Sequence, residues 1–290
     1  MVLLVACSSN GGGASDESTV QVVTGFYPIQ EAAERVGGRL VQTTNLTPPG
    51  AEPHDLELTP QGVEDLQSAD VVLYLGGGFQ PAVEDAISGA EGSAFDLLDG
   101  VQTVPPSEEE AEEGLSVDPH VWLSPPVYAQ VVDEVADALS EAAPDSASTF
   151  RENATAFRGE LEDLDERFSQ GLSDCERSVI LTNHDAFGYL AGAYGLTQEA
   201  ISGLSPESEP TPERLAELKR LVEDEGITTI FTEELVSPRV AETLASEAGV
   251  QTAVLNTIEG LTPEEESAGA DYMSLMLENL ETLELALGCS

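Results

Sequence analysis

The strongest constraint on this chain is a twice-repeated alternation of short apolar, β-branched runs with amphipathic stretches. It is broken once, by a long segment without any strand signal. The first half reads as strand 19–24, helix 28–36, strand 40–44, helix 60–68, strand 70–75, helix 81–88 and a short strand near 101–104. The second reads as strand 178–182, helix 186–194, a short strand near Ile201, helix 212–225, strand 227–232, helix 238–248, strand 251–255 and helix 272–287. Runs such as Val71-Val-Leu-Tyr-Leu75 suit parallel strands covered on both faces, where no polar alternation is needed. Strand–helix alternation implies right-handed crossovers. The expected fold class is therefore α/β, with two lobes, each a parallel sheet flanked by helices.

Residues 126–172 separate the two halves. Val127–Ala142 reads as one helix, and Pro144-Asp145 restarts a second that runs to Gly171. Phe150, Ala154, Phe157, Leu161, Leu164 and Phe168 recur in it at spacings of three and four, the mark of one buried helical face. At the rise of an α-helix it is about 39 Å long, enough to join both lobes as a rigid strut. The expected division is a lipoprotein signal remnant and flexible tether at 1–18, an N-terminal lobe at 19–143, the linking helix at 144–171 and a C-terminal lobe at 172–290. One stiff helix restricts hinge opening more than flexible strands do.

Charge narrows the function. Asp and Glu number 55 against 10 Lys and Arg, a formal net charge of −45. A nucleic-acid binder needs a cationic face, so that class is excluded. Hydrophobic residues make up 41%, enough to pack a core and leave the carboxylates as a surface coat. Such a coat suits high salt, where screening weakens its self-repulsion. The single lysine, Lys219, lies in an amphipathic helix with nothing glycine-rich before it, which disfavours nucleotide hydrolysis and pyridoxal chemistry. Pro105–Gly114 is an acidic run expected to be a solvated loop.

Leu4-Val-Ala-Cys7 resembles a bacterial lipobox, in which Cys7 would carry the lipid. Residues 8–18, rich in Gly and Ser, then read as a flexible tether. No basic n-region precedes it, and the apolar run is short for a complete signal peptide. No later stretch approaches the ~20 apolar residues of a spanning helix. Cys175 and Cys289 remain, and an even pair in an exported chain suggests a disulfide. Neither sits in a CxxC or CxxH cluster.

The three histidines of the chain all fall in loops. His54 follows a strand, His120 precedes a helix, and His184 lies just past the carboxyl end of a strand, where open α/β sheets collect ligands. Imidazole from both lobes points to a metal in the cleft. Neutral imidazoles favour zinc, and a fourth ligand would close a tetrahedron. The histidines are too far apart in sequence for a finger or knuckle, and no HExxH occurs. Asp55 and Asp185 directly follow two of them and are expected behind the ligands or facing solvent.

Five segments then resemble one family: Pro53-His-Asp-Leu-Glu-Leu-Thr-Pro60, Asp118-Pro-His-Val-Trp-Leu-Ser-Pro125, Asn183-His-Asp-Ala-Phe-Gly-Tyr-Leu-Ala191, Phe231-Thr-Glu-Glu-Leu-Val-Ser-Pro238 and Asp271-Tyr-Met-Ser-Leu-Met-Leu-Glu-Asn-Leu280. In this order they are similar to the zinc/manganese solute-binding lipoproteins of ABC importers. The resemblance covers residues 19–290 and implies a metal held between two lobes joined by a long helix. It places the ligands at His54, His120, His184 and Asp271, with Glu233 behind them. Asp271 also stands where a helix cap belongs. Histidine rather than glutamate at 184 implies zinc over manganese. The chain lacks the histidine-rich loop of many zinc-type members, and the second motif ends Leu-Ser-Pro instead of Leu-Asp-Pro, where Ser124 can still cap.

The resemblance implies an extracytoplasmic, lipid-anchored, monomeric protein that is not an enzyme and delivers Zn2+ to a membrane permease and its ATPase. A manganese-specific binder is the alternative. A zinc hydrolase would need water in place of one ligand, with Glu233 or Asp185 as base. In a surface lipoprotein with structural zinc, removing the metal would unfold the chain. No GxSxG occurs, and Pro81 stops Gly76-Gly-Gly78 from continuing as GxGxxG.

Overall fold

A computed structural model describes residues 19–106, 111, 114–206 and 210–290. Cys7, and most of the acidic run before Gly114, lie outside the described residues.

Four strands form the first sheet: β1 (Val20–Thr24), β2 (Val41–Asn45), β3 (Val71–Tyr74) and β4 (Ser93–Asp96), all parallel in the order β2-β1-β3-β4. The second sheet repeats the plan with β5 (Val179–Thr182), β6 (Thr197–Ala200), β7 (Thr229–Thr232) and β8 (Gln251–Val254), in the order β6-β5-β7-β8. Val22 of β1 stands in register with Thr43 on one side and Val71 on the other. The central strands β3 and β7 are almost wholly buried, as runs covered on both faces must be.

The crossovers in the first half are α1 (Tyr27–Gly37), α2 (Pro60–Ser68) and α3 (Pro81–Ala86). Next come α4 (Pro125–Ala142) and α5 (Ala147–Gly171), then α6 (Gly188–Tyr194), α7 (Pro212–Asp224) and α8 (Arg239–Ala248) in the second half. The chain ends with α9 (Pro263–Ala268) and α10 (Tyr272–Leu287). A shared punctuation starts three of these helices. Thr59, Thr211 and Thr262 each accept a backbone N–H of the first turn, and proline follows each of them. The hydroxyl satisfies an otherwise orphaned donor while proline fills a position that has no intrahelical bond to lose. Gly249 closes α8 with φ 73°, a conformation that costs glycine nothing.

Two expectations are corrected here. The fourth strand of the first sheet is Ser93–Asp96, not 101–104. Val101 donates its N–H to Leu98 O in a turn, and Val104 donates its own to Tyr189 Oη in the other half of the chain. Ser124 occupies the N-cap position of α4 but makes no side-chain capping bond; Pro125 begins the helix.

The long helix α5 buries the face formed by Phe150, Ala154, Phe157, Leu161, Leu164 and Phe168. It packs along α4 and α1 and reaches α10, so it joins the two lobes. One apolar core runs from Val22 and Ile29 through Trp122, Tyr128 and Phe157 to Tyr272, Leu283 and Leu287. At the lobe junction the Tyr128 and Tyr272 rings lie 4.5 Å apart. Tyr272 Oη donates to Trp122 O at 2.6 Å, and Trp122 Nε1 donates to Thr257 O at 2.7 Å. A disulfide joins Cys175 to Cys289, tying the segment before β5 to the end of α10.

Candidate metal centre

In both sheets the chain leaves the first strand to one side and returns on the other. Ligand-bearing loops of such sheets gather beyond the carboxyl ends of the strands, where the order reverses. His184 lies two residues past β5, and Glu233 directly follows β7. In the first sheet the loop from β2 to α2 carries His54. Gln80 Nε2 donates to Gly25 O, Thr47 Oγ1 and Pro53 O, each at 3.3 Å, and so fixes that loop over the strand ends. His120 precedes the short 3-10 turn Val121–Leu123 that leads into α4.

The three imidazoles converge. Their ring centroids are 5.3–5.8 Å apart, and His184 Nε2 lies 3.4 Å from His120 Nε2. The fourth donor is Glu259, in the loop after β8. Its Oε1 is 3.4 Å from the Nε2 atoms of His120 and His184 and 3.6 Å from that of His54. All four donor atoms lie within 4.8 Å of one another. A tetrahedral zinc with bonds of about 2.0–2.1 Å needs donor–donor edges of about 3.3–3.4 Å. The three edges among His120, His184 and Glu259, each 3.4 Å, match that spacing, and His54 stands slightly wider at 3.6 Å from Glu259.

Asp271 is corrected by this geometry. It is the N-cap of α10, where its Oδ1 accepts from Ser274 N at 2.8 Å and from Ser274 Oγ at 2.7 Å. The cap turns its carboxylate onto the helix start, and Glu259 takes the place beside the histidines. Asp55 is exposed. Asp185 is half-buried, its backbone N–H donating to Gly203 O. The carboxylates at the histidine Nδ1 atoms are instead Asp118, 2.8 Å from His120, and Glu233, 2.7 Å from His184. Such bonds fix the ring orientation and leave Nε2 pointing into the centre. Asp118 stands two residues before His120 in sequence, and that spacing is the signal that would have found it.

The centre is buried and strongly polarised. His120, His184 and Glu259 are completely buried. Burial opposes a charge on His120, but Asp118 and Glu259 outweigh it and raise its pKa to about 9. His184 is also raised well above the ordinary value: burial again opposes, and Glu233 and Glu259 prevail. For His54 burial wins and its pKa falls. Burial would raise Glu259, yet the three histidines hold it well below the usual carboxylate range. Glu52, whose carboxylate accepts the N–H of His54 at 3.2 Å, is pushed up to about 8, by burial first and then by the charge of Glu259. Both oxygens of Glu259 and Nε2 of His54 are buried without a hydrogen bond. Orphaned polar atoms of this kind are costly in a protein interior, and a cation bound among them would satisfy all three.

The backbone that delivers Glu259 is unusual. Ile258, fully buried, has φ 55°, the one non-glycine residue with positive φ among the described residues. For a β-branched side chain that region is an outlier and costs on the order of 1–3 kcal/mol, so the surroundings must impose it. Ile258 N–H donates to Asn256 Oδ1 at 2.7 Å. Asn279 of α10 accepts from Asn256 N and donates to Asn256 O, both at 2.7 Å. Asn256 Nδ2 donates to Glu265 at 2.8 Å.

The chain resembles known proteins along nearly its whole length. The family described as ZnuA, zinc-uptake complex component A, periplasmic, matches residues 22–286. A zinc-binding lipoprotein, AdcA, of Streptococcus pneumoniae is 38% identical over 97% of the chain, which spans 58% of that relative's length. The high-affinity zinc uptake system protein ZnuA of Bacillus subtilis is 35% identical over 99% of the chain and 94% of its own length. The crystal structure of the Zn(II)-bound ZnuA-like domain of Streptococcus pneumoniae AdcA superposes with a TM-score of 0.80 at 37% identity, covering 93% of this chain and 99% of that domain.

Proposed function

The chain belongs to the ZnuA family of periplasmic zinc-uptake components, and on that premise we propose that it captures Zn2+ outside the cytoplasm and hands it to an ABC permease and its ATPase. In this reading His54, His120, His184 and Glu259 hold the ion as cargo, while Asp118 and Glu233 orient two of the imidazoles. The observation that carries it is the convergence of four buried donor atoms, three of them at the edge length of a zinc tetrahedron and all within 4.8 Å of one another.

Three imidazoles and one carboxylate favour zinc over manganese, which prefers an oxygen-rich octahedron. Four protein donors also leave no open position for an activated water, so the arrangement supports carriage rather than hydrolysis. The unbroken apolar core supports a fold that outlasts removal of the metal, unlike a protein that needs zinc structurally. We extend the same reading to a lipid anchor at Cys7, a monomeric state, and lobes at 19–143 and 172–290. A relative named as a lipoprotein supports the anchor.

A thermal-shift series on chelator-stripped protein tests the proposal. A ligand that binds the native state raises apparent stability by RT ln(1 + [L]/Kd). Zn2+ should raise the melting temperature more than equal Mn2+ or Fe2+. A larger shift with Mn2+ overturns the zinc assignment, and a chain unfolded by chelation overturns the transport role.

A further inference from the structure

Glu259 faces the three imidazoles at 3.4–3.6 Å but makes no hydrogen bond to any other group. Whether its carboxylate can reach them depends on its backbone, and that backbone is held in place by a side chain from another element. Asn279, 2% exposed on α10, grips both the N–H and the C=O of Asn256. Asn256 in turn accepts the N–H of Ile258, the residue in the left-handed region. Trp122 Nε1 fixes Thr257 O between them. Residues 256–258 are thus hydrogen-bonded from three directions, by Asn279, Trp122 and Glu265, and Glu259 is the next residue along the chain.

We propose that Asn279 is a positioning residue for zinc. Through Asn256 it keeps Ile258 in its strained conformation and so turns Glu259 toward the three histidines. The proposal rests on Glu259 being the fourth ligand. Without Asn279 the segment loses two backbone hydrogen bonds, Ile258 relaxes toward the extended region that β-branched residues prefer, and the carboxylate leaves the cluster. The histidines, held by Asp118, Glu233 and the Gln80 loop, stay where they are.

The test is a double-mutant cycle on the full chain, with zinc affinity measured by chelator competition. Glu259→Ala, Asn279→Ala and the double variant are compared, with circular dichroism of the metal-free proteins alongside. Losing a partner that orients a ligand typically weakens metal binding about 10–100-fold. Asn279→Ala should show a loss of that size in the native background and less than a twofold further loss beside Glu259→Ala. Equal losses in both backgrounds, or no loss with Glu259 intact, overturn the positioning role and leave the ligand assignment standing. Unchanged affinity in Glu259→Ala overturns the ligand assignment and the proposal with it. Should Asn279→Ala fail to fold, Asn279→Asp keeps the acceptor for Asn256 N and removes the donation to Asn256 O, and it is judged by the same two outcomes.

Discussion

At the residue scale, protonation and the proposed zinc would compete for the same atoms. In the metal-free protein burial opposes a charge on both rings, but Asp118 and Glu259 raise the pKa of His120 to about 9, and Glu233 and Glu259 likewise raise that of His184, which favours the protonated form of both. Zinc needs them neutral. Binding at pH 7 should therefore release about one to two protons, read from calorimetry in buffers of different ionisation enthalpy, and affinity should rise as pH climbs toward 9. Release of none would mean the imidazoles are already neutral. The stability contribution of His120 runs the opposite way. A raised folded-state pKa stabilises the metal-free fold fully below about 6.5, and that contribution fades as pH rises through about 9. A second pair of variants separates ligand from cap. Glu259→Gln should weaken zinc by more than the roughly 10–100-fold typical of losing a group that orients a ligand. Asp271→Ala should leave affinity unchanged and cost about 1 kcal/mol in denaturant unfolding; a large affinity loss there would return Asp271 to the site. The histidines are legible because three of them, all in loops beside strand or helix ends, stand out in a chain this acidic. Glu259 is not. It is one acidic side chain among 55 Asp and Glu, set apart only by burial and by the φ of its neighbour, and neither is written in the local sequence. Asp271 draws attention because a cap and a ligand demand the same residue type.

At the scale of elements, apolar spacing makes α5 readable: its six buried positions are those that the spacing of three and four selects. The edge strand β4 escapes such a reading because Ser93-Ala-Phe-Asp96 is short and mostly solvent-accessible, so nothing compels an apolar pattern. Val101–Val104 carries a stronger β-type composition but spends its backbone on a turn and on Tyr189. Helix α9 escapes it too, although its start, Thr262-Pro-Glu-Glu265, forms a full capping box; six residues are too few to show periodicity. The disulfide allows a prediction at this scale. It closes a loop with a sequence separation of 114, and removing a native disulfide typically costs about 2–5 kcal/mol, toward the upper end for a loop this long. Cys175 lies before β5, whereas the metal donors lie past the strand ends. Cys289→Ser should therefore lower unfolding free energy by that amount and leave zinc affinity within twofold. A matching collapse of affinity would show that the two ends of the second sheet are coupled.

At the scale of the whole molecule, the net charge of −45 makes the fold a self-repelling object whose stability depends on its electrolyte. The Debye length falls from about 10 Å at 0.1 M to about 3 Å at 1 M salt. Raising KCl across that range should raise the melting temperature of the metal-free protein; a gain of about 2 kcal/mol corresponds to roughly 4–8 °C for a chain of this size. A flat or falling melting curve would mean that the carboxylates are spaced widely enough not to matter. The two-lobed plan itself is readable from the repeated strand–helix order, because parallel sheets leave few other ways to connect such a string. How firmly the lobes adhere is not, since Trp122, Tyr128 and Tyr272 show no sign of mutual contact until the chain is folded. Their greasy seam bears on the proposed release of zinc. Prising the halves apart like a clamshell would wet the aromatic wall behind the cluster, so a carrier built this way would unload through small local shifts of the loops that bear His54, His120, His184 and Glu259, and neither half should survive if expressed alone.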